Sequence, residues 1–206
     1  MKLLAAIVNI CCLLVSAQAI HAGGDALYQS QCAACHQPDA SGNEVLGAPA
    51  LGELSAGYLV RQLRNFRDDV RGAHEDDVQG RVMAATVTGL TERDIERLSH
   101  YLSDLPASKA SPPLRKPGLA GRGLYSGCAS CHGSRGEGVP ELEAPRLAGQ
   151  HSWYLKAQLL KFRSGQRGAH PGDRYGAQMR QMADIIPDEE AIDELLAYLA
   201  TLTDDT

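Results

Sequence analysis

The chain has 206 residues, 44% of them hydrophobic, with a formal net charge of −5, two phenylalanines and one tryptophan. That length suits one domain or two small ones, and the absence of a strongly basic balance argues against a nucleic-acid partner. Aromatic bulk for two cores is short, so an apolar cofactor is expected to supply it.

Residues 1–22 read as a secretory signal. Lys2 precedes an apolar run from Leu3 to Val15 and the small-residue pattern Ala17-Gln18-Ala19, with cleavage after Ala19 or Ala22. The run is shorter than the roughly 20 residues that span a bilayer. Cys11 and Cys12 fall inside it, so cleavage leaves four cysteines and no spare thiol for a disulfide.

Helix-like stretches, Asp25 to Gln31 and Ala120 to Gly127, lead into Cys32-Ala33-Ala34-Cys35-His36 and Cys128-Ala129-Ser130-Cys131-His132. Cys-X-X-Cys-His is the attachment signature of c-type haem. Its spacing lets two thiols add to the two vinyl groups of one porphyrin edge while the adjacent imidazole is held against iron. Cys32, Cys35, Cys128 and Cys131 are the predicted thioether anchors of two covalently bound haem c groups, with His36 and His132 as proximal iron ligands. A four-cysteine zinc site would set its pairs about 15 to 20 residues apart, and a thioredoxin-like dithiol needs a strand-to-helix setting. Neither accounts for the histidine after each pair. Covalent haem is added outside the cytoplasmic membrane, so export and haem together predict the periplasm, an oxidising compartment.

An offset of 96 brings the two motifs and much of their surroundings into register, which marks a duplication. Ala48-Pro49-Ala50-Leu51 matches Ala144-Pro145-Arg146-Leu147; Tyr58-Leu59 matches Tyr154-Leu155; Phe66-Arg67 matches Phe162-Arg163; Arg71-Gly72-Ala73-His74 matches Arg167-Gly168-Ala169-His170. Tyr101-Leu102 matches Tyr198-Leu199 at offset 97. Residues 106–118 hold four prolines and three basic residues without an acidic one, and read as a partly extended linker. Domain 1 is predicted over 24–105 and domain 2 over 119–206. Domain 1 carries 13 acidic and 7 basic residues, domain 2 carries 12 and 9. This reads as solubilising surface, with steering toward a basic partner as the alternative.

Each half is predicted to be all-α, with three helices and long loops rich in Gly, Pro and Ala. The middle helices fall near 55–68 and 151–163. The closing helices are clearest: Thr91 with Asp94 forms a capping box, followed by Ile95, Leu98, Leu102 and Leu105 at helical spacing. In the second copy Asp188 precedes Ile192, Leu195, Leu196, Leu199 and Leu202.

The two haem motifs, the paired AP-x-L loops, the FR…RGAH segments, a downstream methionine in each half and the closing Tyr-Leu helix together resemble tandem class I cytochrome c domains, in particular the dihaem cytochrome c4 family. The resemblance implies two helical haem domains, joined by the Pro-rich linker, that shuttle electrons. It also puts a methionine opposite each histidine, which raises the reduction potential. Met83, alone in a polar, Gly-bearing loop before the last helix of domain 1, is the family position. In domain 2 the candidates are Met179 and Met182. Counted at the offset of the closing helix, the mate of Met83 falls on Arg180. Met179 then requires one inserted residue before the final helix and Met182 a two-residue deletion; Met179 is preferred. By the same resemblance the carbonyls of Pro49 and Pro145 accept a hydrogen bond from the proximal imidazoles; a loop-stiffening role is the plainer alternative. Arg67, Arg71, Arg163 and Arg167 are either partners of haem propionates or solvated arginines at helix ends. His74 and His170 are read as surface-loop residues rather than ligands, and His21, His100 and His151 are assigned nothing.

The expected function is a periplasmic carrier of single electrons, from a quinol-oxidising complex or dehydrogenase to a terminal oxidase or reductase, with peripheral association to such membrane complexes. The alternatives are an electron-transfer subunit of a dehydrogenase and, less favoured, a dihaem peroxidase or thiosulfate-oxidising enzyme.

Overall fold

In each half the first and last helices cross at a glycine. A computed structural model describes residues 23–108 and 115–202; the predicted signal segment with Cys11 and Cys12, part of the linker and the last four residues lie outside the described residues. Helix α1 (Gly24–Gln31) packs on α5 (Glu92–Ser103), and α6 (Leu119–His132) packs on α9 (Glu189–Leu199). A Cβ on Gly24 would stand 2.6 Å from the Arg97 carbonyl oxygen, and one on Gly121 would stand 2.9 Å from the Tyr198 Cβ and closer still to the Glu194 carbonyl. Only a hydrogen fits there. The close approach sets Tyr28 beside Tyr101 and Tyr125 beside Tyr198, each pair with ring centroids 5.7 Å apart.

Short α2 (Ala33–His36) follows a break at Cys32, whereas α6 runs unbroken through its haem motif. The middle helices are α3 (Ala56–Arg67) and α7 (Ser152–Ser164), close to their predicted spans. The capping box at Thr91 forms, with Asp94 N donating to Thr91 Oγ1 (3.2 Å) and Thr91 N donating to Asp94 Oδ2 (3.1 Å). Asp188 Oδ1 accepts from Ala191 N at 2.8 Å. The apolar stripes behind these caps fill two cores, one around Tyr28, Ile95, Leu98 and Leu102, the other around Tyr125, Ile192, Leu196 and Leu199. The described residues contain no strands, only isolated bridges at Asn43–Ala48 and Val139–Ala144.

One expectation is corrected. The methionine segments are helices, not loops: α4 (Val78–Val87) and α8 (Arg174–Asp184). Asp77 and Asp173 cap them, each accepting a backbone N–H three residues on, at Gly80 and Gly176, both at 2.9 Å. The glycine that looks like a helix breaker is the residue that admits the capping carboxylate. Each half thus has helices before the haem motif, after its loop, around the methionine and at the end.

The halves meet through a crossed polar network. Arg71 donates to Gln62 Oε1 (2.7 Å) in its own half and to Gln158 Oε1 (3.0 Å) and Tyr154 Oη (3.2 Å) in the other. Arg167 repeats the pattern with Gln158 (2.9 Å), Gln62 (3.1 Å) and Tyr58 (3.3 Å). Repeat-matched residues bonding to one another's partners is the signature of an isologous contact, here within one chain. Asymmetric contacts add to it: Gln150 bonds Ala50 through both its amide atoms, Arg61 pairs with Glu143, and His151 Nε2 lies 2.7 Å from the Ser41 carbonyl oxygen.

Replacing Gly121 by Ala is expected to destabilise domain 2 by about 1–3 kcal/mol, because the helix crossing must open. Urea unfolding followed by circular dichroism should show a transition displaced to lower urea. The same change at Gly123, which has open space around it, should leave the midpoint within the range of ordinary surface substitutions.

Candidate functional site

The two haem motifs place their side chains in the same way. Cys35 N and His36 N both bond to the Cys32 carbonyl oxygen (3.1 and 3.0 Å), so the motif of domain 1 is one helical turn with its two cysteines, three residues apart, on a single face. The chain leaves this turn through residues with positive φ, Gln37 in domain 1 and Gly133 in domain 2. It then doubles back, with Gly42 N donating to the His36 carbonyl oxygen (3.0 Å) and Gly138 N to that of His132 (2.8 Å). At Gly42 and Gly138 a side chain would strike the backbone of the returning proline segment, and both have positive φ. Glycine lets that segment pass beside the histidine.

The returning segment presents Pro49 and Pro145. Their carbonyl oxygens lie 2.9 Å from His36 Nδ1 and 2.8 Å from His132 Nδ1. A carbonyl only accepts, so Nδ1 carries the proton and Nε2 keeps its lone pair. Both imidazoles are buried. Burial pushes their pKa values below the ordinary imidazole value, partly opposed by the proline carbonyls. The ring is therefore neutral, oriented and equipped to bind a metal through Nε2.

The cysteines fit thioether chemistry better than the alternatives. Cys32 is half-buried, and burial followed by the neighbouring Cys35 would push its free thiol up to about 11. Burial likewise raises Cys128. Thiols so shifted are little ionised near neutral pH, which disfavours disulfide exchange. Among the described residues no cluster of three or more His, Cys, Asp or Glu could hold a metal ion.

Met83 packs half-buried against the first core, whose neighbours include Cys32. Met179 is half-buried on α8. The two caps put these methionines in one register: Asp77 precedes Met83 by the same interval as Asp173 precedes Met179. The inserted residue comes afterwards, where α8 runs to Asp184 before the final cap at Asp188. Met182 Cε lies 4.0 Å from where a Cβ on Gly127 would sit. His74 and His170 are exposed and close tight turns, their Nδ1 atoms accepting from Asp76 N (3.2 Å) and Gly172 N (3.0 Å).

A tetrapyrrole with two carboxylates also fits the arginines. Arg71 and Arg167 are buried, and their hydrogen bonds go to amide and phenol oxygens, with no carboxylate hydrogen-bonded to either among the described residues, although Asp77 acts on Arg71 from farther off. The Nε of Arg167 is buried without a bond. Burial raises the Tyr58 hydroxyl, yet the guanidiniums of Arg167, Arg71 and Arg61 outweigh it and leave it below its ordinary value. Such a pocket is electropositive and suits propionates. Arg67 instead pairs with Asp68 and Glu92 on the surface, and Arg163 is half-buried. The interface residues Gln62, Gln158, Tyr58 and Tyr154 were not expected as site residues, although all four match across the repeat.

The cytochrome c family model matches residues 22–106 and again 119–203. The chain is 32% identical over 195 residues to the thiosulfate dehydrogenase electron acceptor of Stutzerimonas stutzeri (strain A1501), covering 85% of this chain and 87% of the relative. It is 31% identical over 164 residues to cytochrome c4 of Azotobacter vinelandii, covering 71% and 76%. Among solved structures, the thiosulfate dehydrogenase of Marichromatium purpuratum superposes with a TM-score of 0.68 at 35% identity, over 82% of this chain and 36% of that longer one. With both halves matched and the similarity running through both haem motifs, the chain belongs to the cytochrome c family, as a member of the dihaem cytochrome c4 group that carries two covalently bound haem c.

Proposed function

We propose that this dihaem electron-transfer protein is a periplasmic carrier that takes electrons one at a time from a dehydrogenase and delivers them to a terminal oxidase or reductase. A thiosulfate dehydrogenase is the favoured donor. When bound, each haem supplies a one-electron ferric/ferrous couple. The observation that carries the reading is the paired donor set in each domain: a neutral imidazole held by Pro49 or Pro145, and a methionine in the same register on a capped helix.

In this reading His36 with Met83, and His132 with Met179, occupy both axial positions. A saturated site leaves no open coordination position for peroxide or thiosulfate, which favours a carrier over an enzyme. Buried His36 and His132 exclude water, and the thioethers of Cys32, Cys35, Cys128 and Cys131 keep the cofactor in place while partners come and go. The similarity to a thiosulfate dehydrogenase electron acceptor supports the choice of donor. A second reading, in which the chain works as a subunit of such an enzyme, is supported by its likeness to one portion of a longer thiosulfate dehydrogenase chain.

Domain 1 also has the better docking face. Val45 (94% exposed), Leu46, Val78 (63%) and Val82 (57%) are exposed apolar residues. The loop that carries the first two meets α4 where Gly47 approaches Gln79 Cγ. Their repeat-mates include Glu141, Arg174 and Gln178, so domain 2 lacks this face. Exposed Glu44, Glu75 and Asp76 border it, which suits a donor with an apolar centre and basic surroundings. The Val82→Lys variant should lower the second-order rate of reduction by a reduced thiosulfate dehydrogenase about tenfold, with reduction by dithionite unchanged.

Stopped-flow spectroscopy tests the carrier role. Thiosulfate plus a thiosulfate dehydrogenase should produce ferrous haem in this protein, whereas thiosulfate alone should not; unaided reduction by thiosulfate would make it an enzyme. The ligands are tested by substitution. Met83→Ala and Met179→Ala should each abolish the sulfur-to-iron charge-transfer absorption at one haem and lower its potential, and Met182→Ala should leave both haems intact.

A further inference from the structure

The contact between the halves is symmetric at its arginines and asymmetric at the methionine helices. Asp77, 2% exposed, caps α4 by accepting from Gly80 N at 2.9 Å. The same Oδ1 atom accepts from Lys161 Nζ at 2.5 Å, and Lys161 belongs to α7 of the other domain. Lys161 also donates to Gln79 Oε1 at 3.3 Å. One ammonium from domain 2 therefore holds the first turn of the helix that carries Met83.

Among the described residues domain 2 has no matching lysine–aspartate hydrogen bond. Asp173 is buried and caps α8 in the same way, but the repeat-mate of Lys161 is Asn65, a neutral residue whose Nδ2 is buried without a bond. Arg61 acts on Asp173 electrostatically, while its hydrogen bonds go to the Glu143 carboxylate and carbonyl. Arg61 of domain 1 also stands over the Tyr175 ring of α8, 4.4 Å from its centroid, so domain 1 touches this helix, but among the described residues no side chain of domain 1 hydrogen-bonds the Asp173 carboxylate.

We propose that Lys161 is a positioning residue that makes the ligation and potential of haem 1 depend on domain 2 through a direct hydrogen bond to the cap of α4, a bond that domain 1 does not return to the cap of α8. The proposal rests on the reading of Met83 as the axial ligand. Removing the ammonium leaves a buried carboxylate unpaired at the start of α4, and the added negative potential favours the ferric state. Loosening of the cap acts in the same direction, because loss of methionine ligation lowers the potential.

The test uses the full-length dihaem protein with three variants: Lys161→Met, the charge-retaining Lys161→Arg, and Lys156→Met. Lys156 lies on the same helix and pairs with Asp193 inside domain 2, so it controls for general loss of charge. Haem-resolved spectroelectrochemistry should show the ferrous-to-ferric ratio of haem 1 at a fixed poise falling about tenfold in Lys161→Met, with haem 2 unchanged. Hydrogen exchange at the Gly80 and Arg81 amides should accelerate in the same variant. Lys161→Arg should restore both, and Lys156→Met should change neither.

Unchanged exchange at Gly80 and Arg81 in Lys161→Met would overturn the proposal, as would equal shifts at both haems or the same response in Lys156→Met. The exchange measurement does not depend on what binds iron. Failure of the ligand reading would be seen separately, as a charge-transfer band at haem 1 that survives Met83→Ala.

Discussion

The hydrogen bond from each proximal imidazole to a proline carbonyl is the constraint on which both haem sites depend. It joins the end of the haem-motif helix to a loop 13 residues on, and it fixes the tautomer, so that only Nε2 can face iron. The loop between is shaped by that bond. Its glycines allow the close pass, its bridge at Asn43–Ala48 or Val139–Ala144 closes the turn, and the proline denies the segment a donor that would compete for the same space. Burial then keeps the ring neutral, which is the form that coordinates.

Much of this was legible in the sequence, for physical reasons that differ by element. The haem motifs are covalent chemistry, so their spacing is nearly invariant to context. The closing helices carry both a cap and an apolar stripe, and each signal confirms the other. The α4 and α8 helices were missed because Gly80 and Gly176 read as breakers; Asp77 and Asp173, three residues before, were the signal that a capped turn begins there. The uncertainty over Met179 had a similar source. Counting back from the closing helix crosses the inserted residue, whereas counting forward from the cap does not.

The interface was the least legible part. Arg71, Gln62 and Tyr58 each look like solvent-facing residues of a polar helix face, and nothing local to them predicts burial. Only their recurrence at the same offset as Arg167, Gln158 and Tyr154 marks them, because a symmetric contact between duplicated domains needs both copies of each partner. A guanidinium stripped of water without a carboxylate partner is costly. Here each of the two is held by amide and phenol oxygens from both halves, an arrangement that acidic groups of a cofactor would complete.

Duplication makes two equal sites, and a carrier with two equal sites gains capacity without direction. Direction requires that the copies diverge where they tune the metal or meet a partner. In this chain the divergence is concentrated around α4: an apolar face where domain 2 has Arg174 and Gln178, and a cap held by Lys161 where the other half offers Asn65. The imidazole and its proline, by contrast, keep the same hydrogen bond in the two halves, at 2.9 and 2.8 Å. The histidine side of the two sites is thus alike, while the surroundings of one methionine helix differ. Under the proposed ligation and docking, the apolar face and the Lys161 contact with domain 2 would both act on the same short helix, α4.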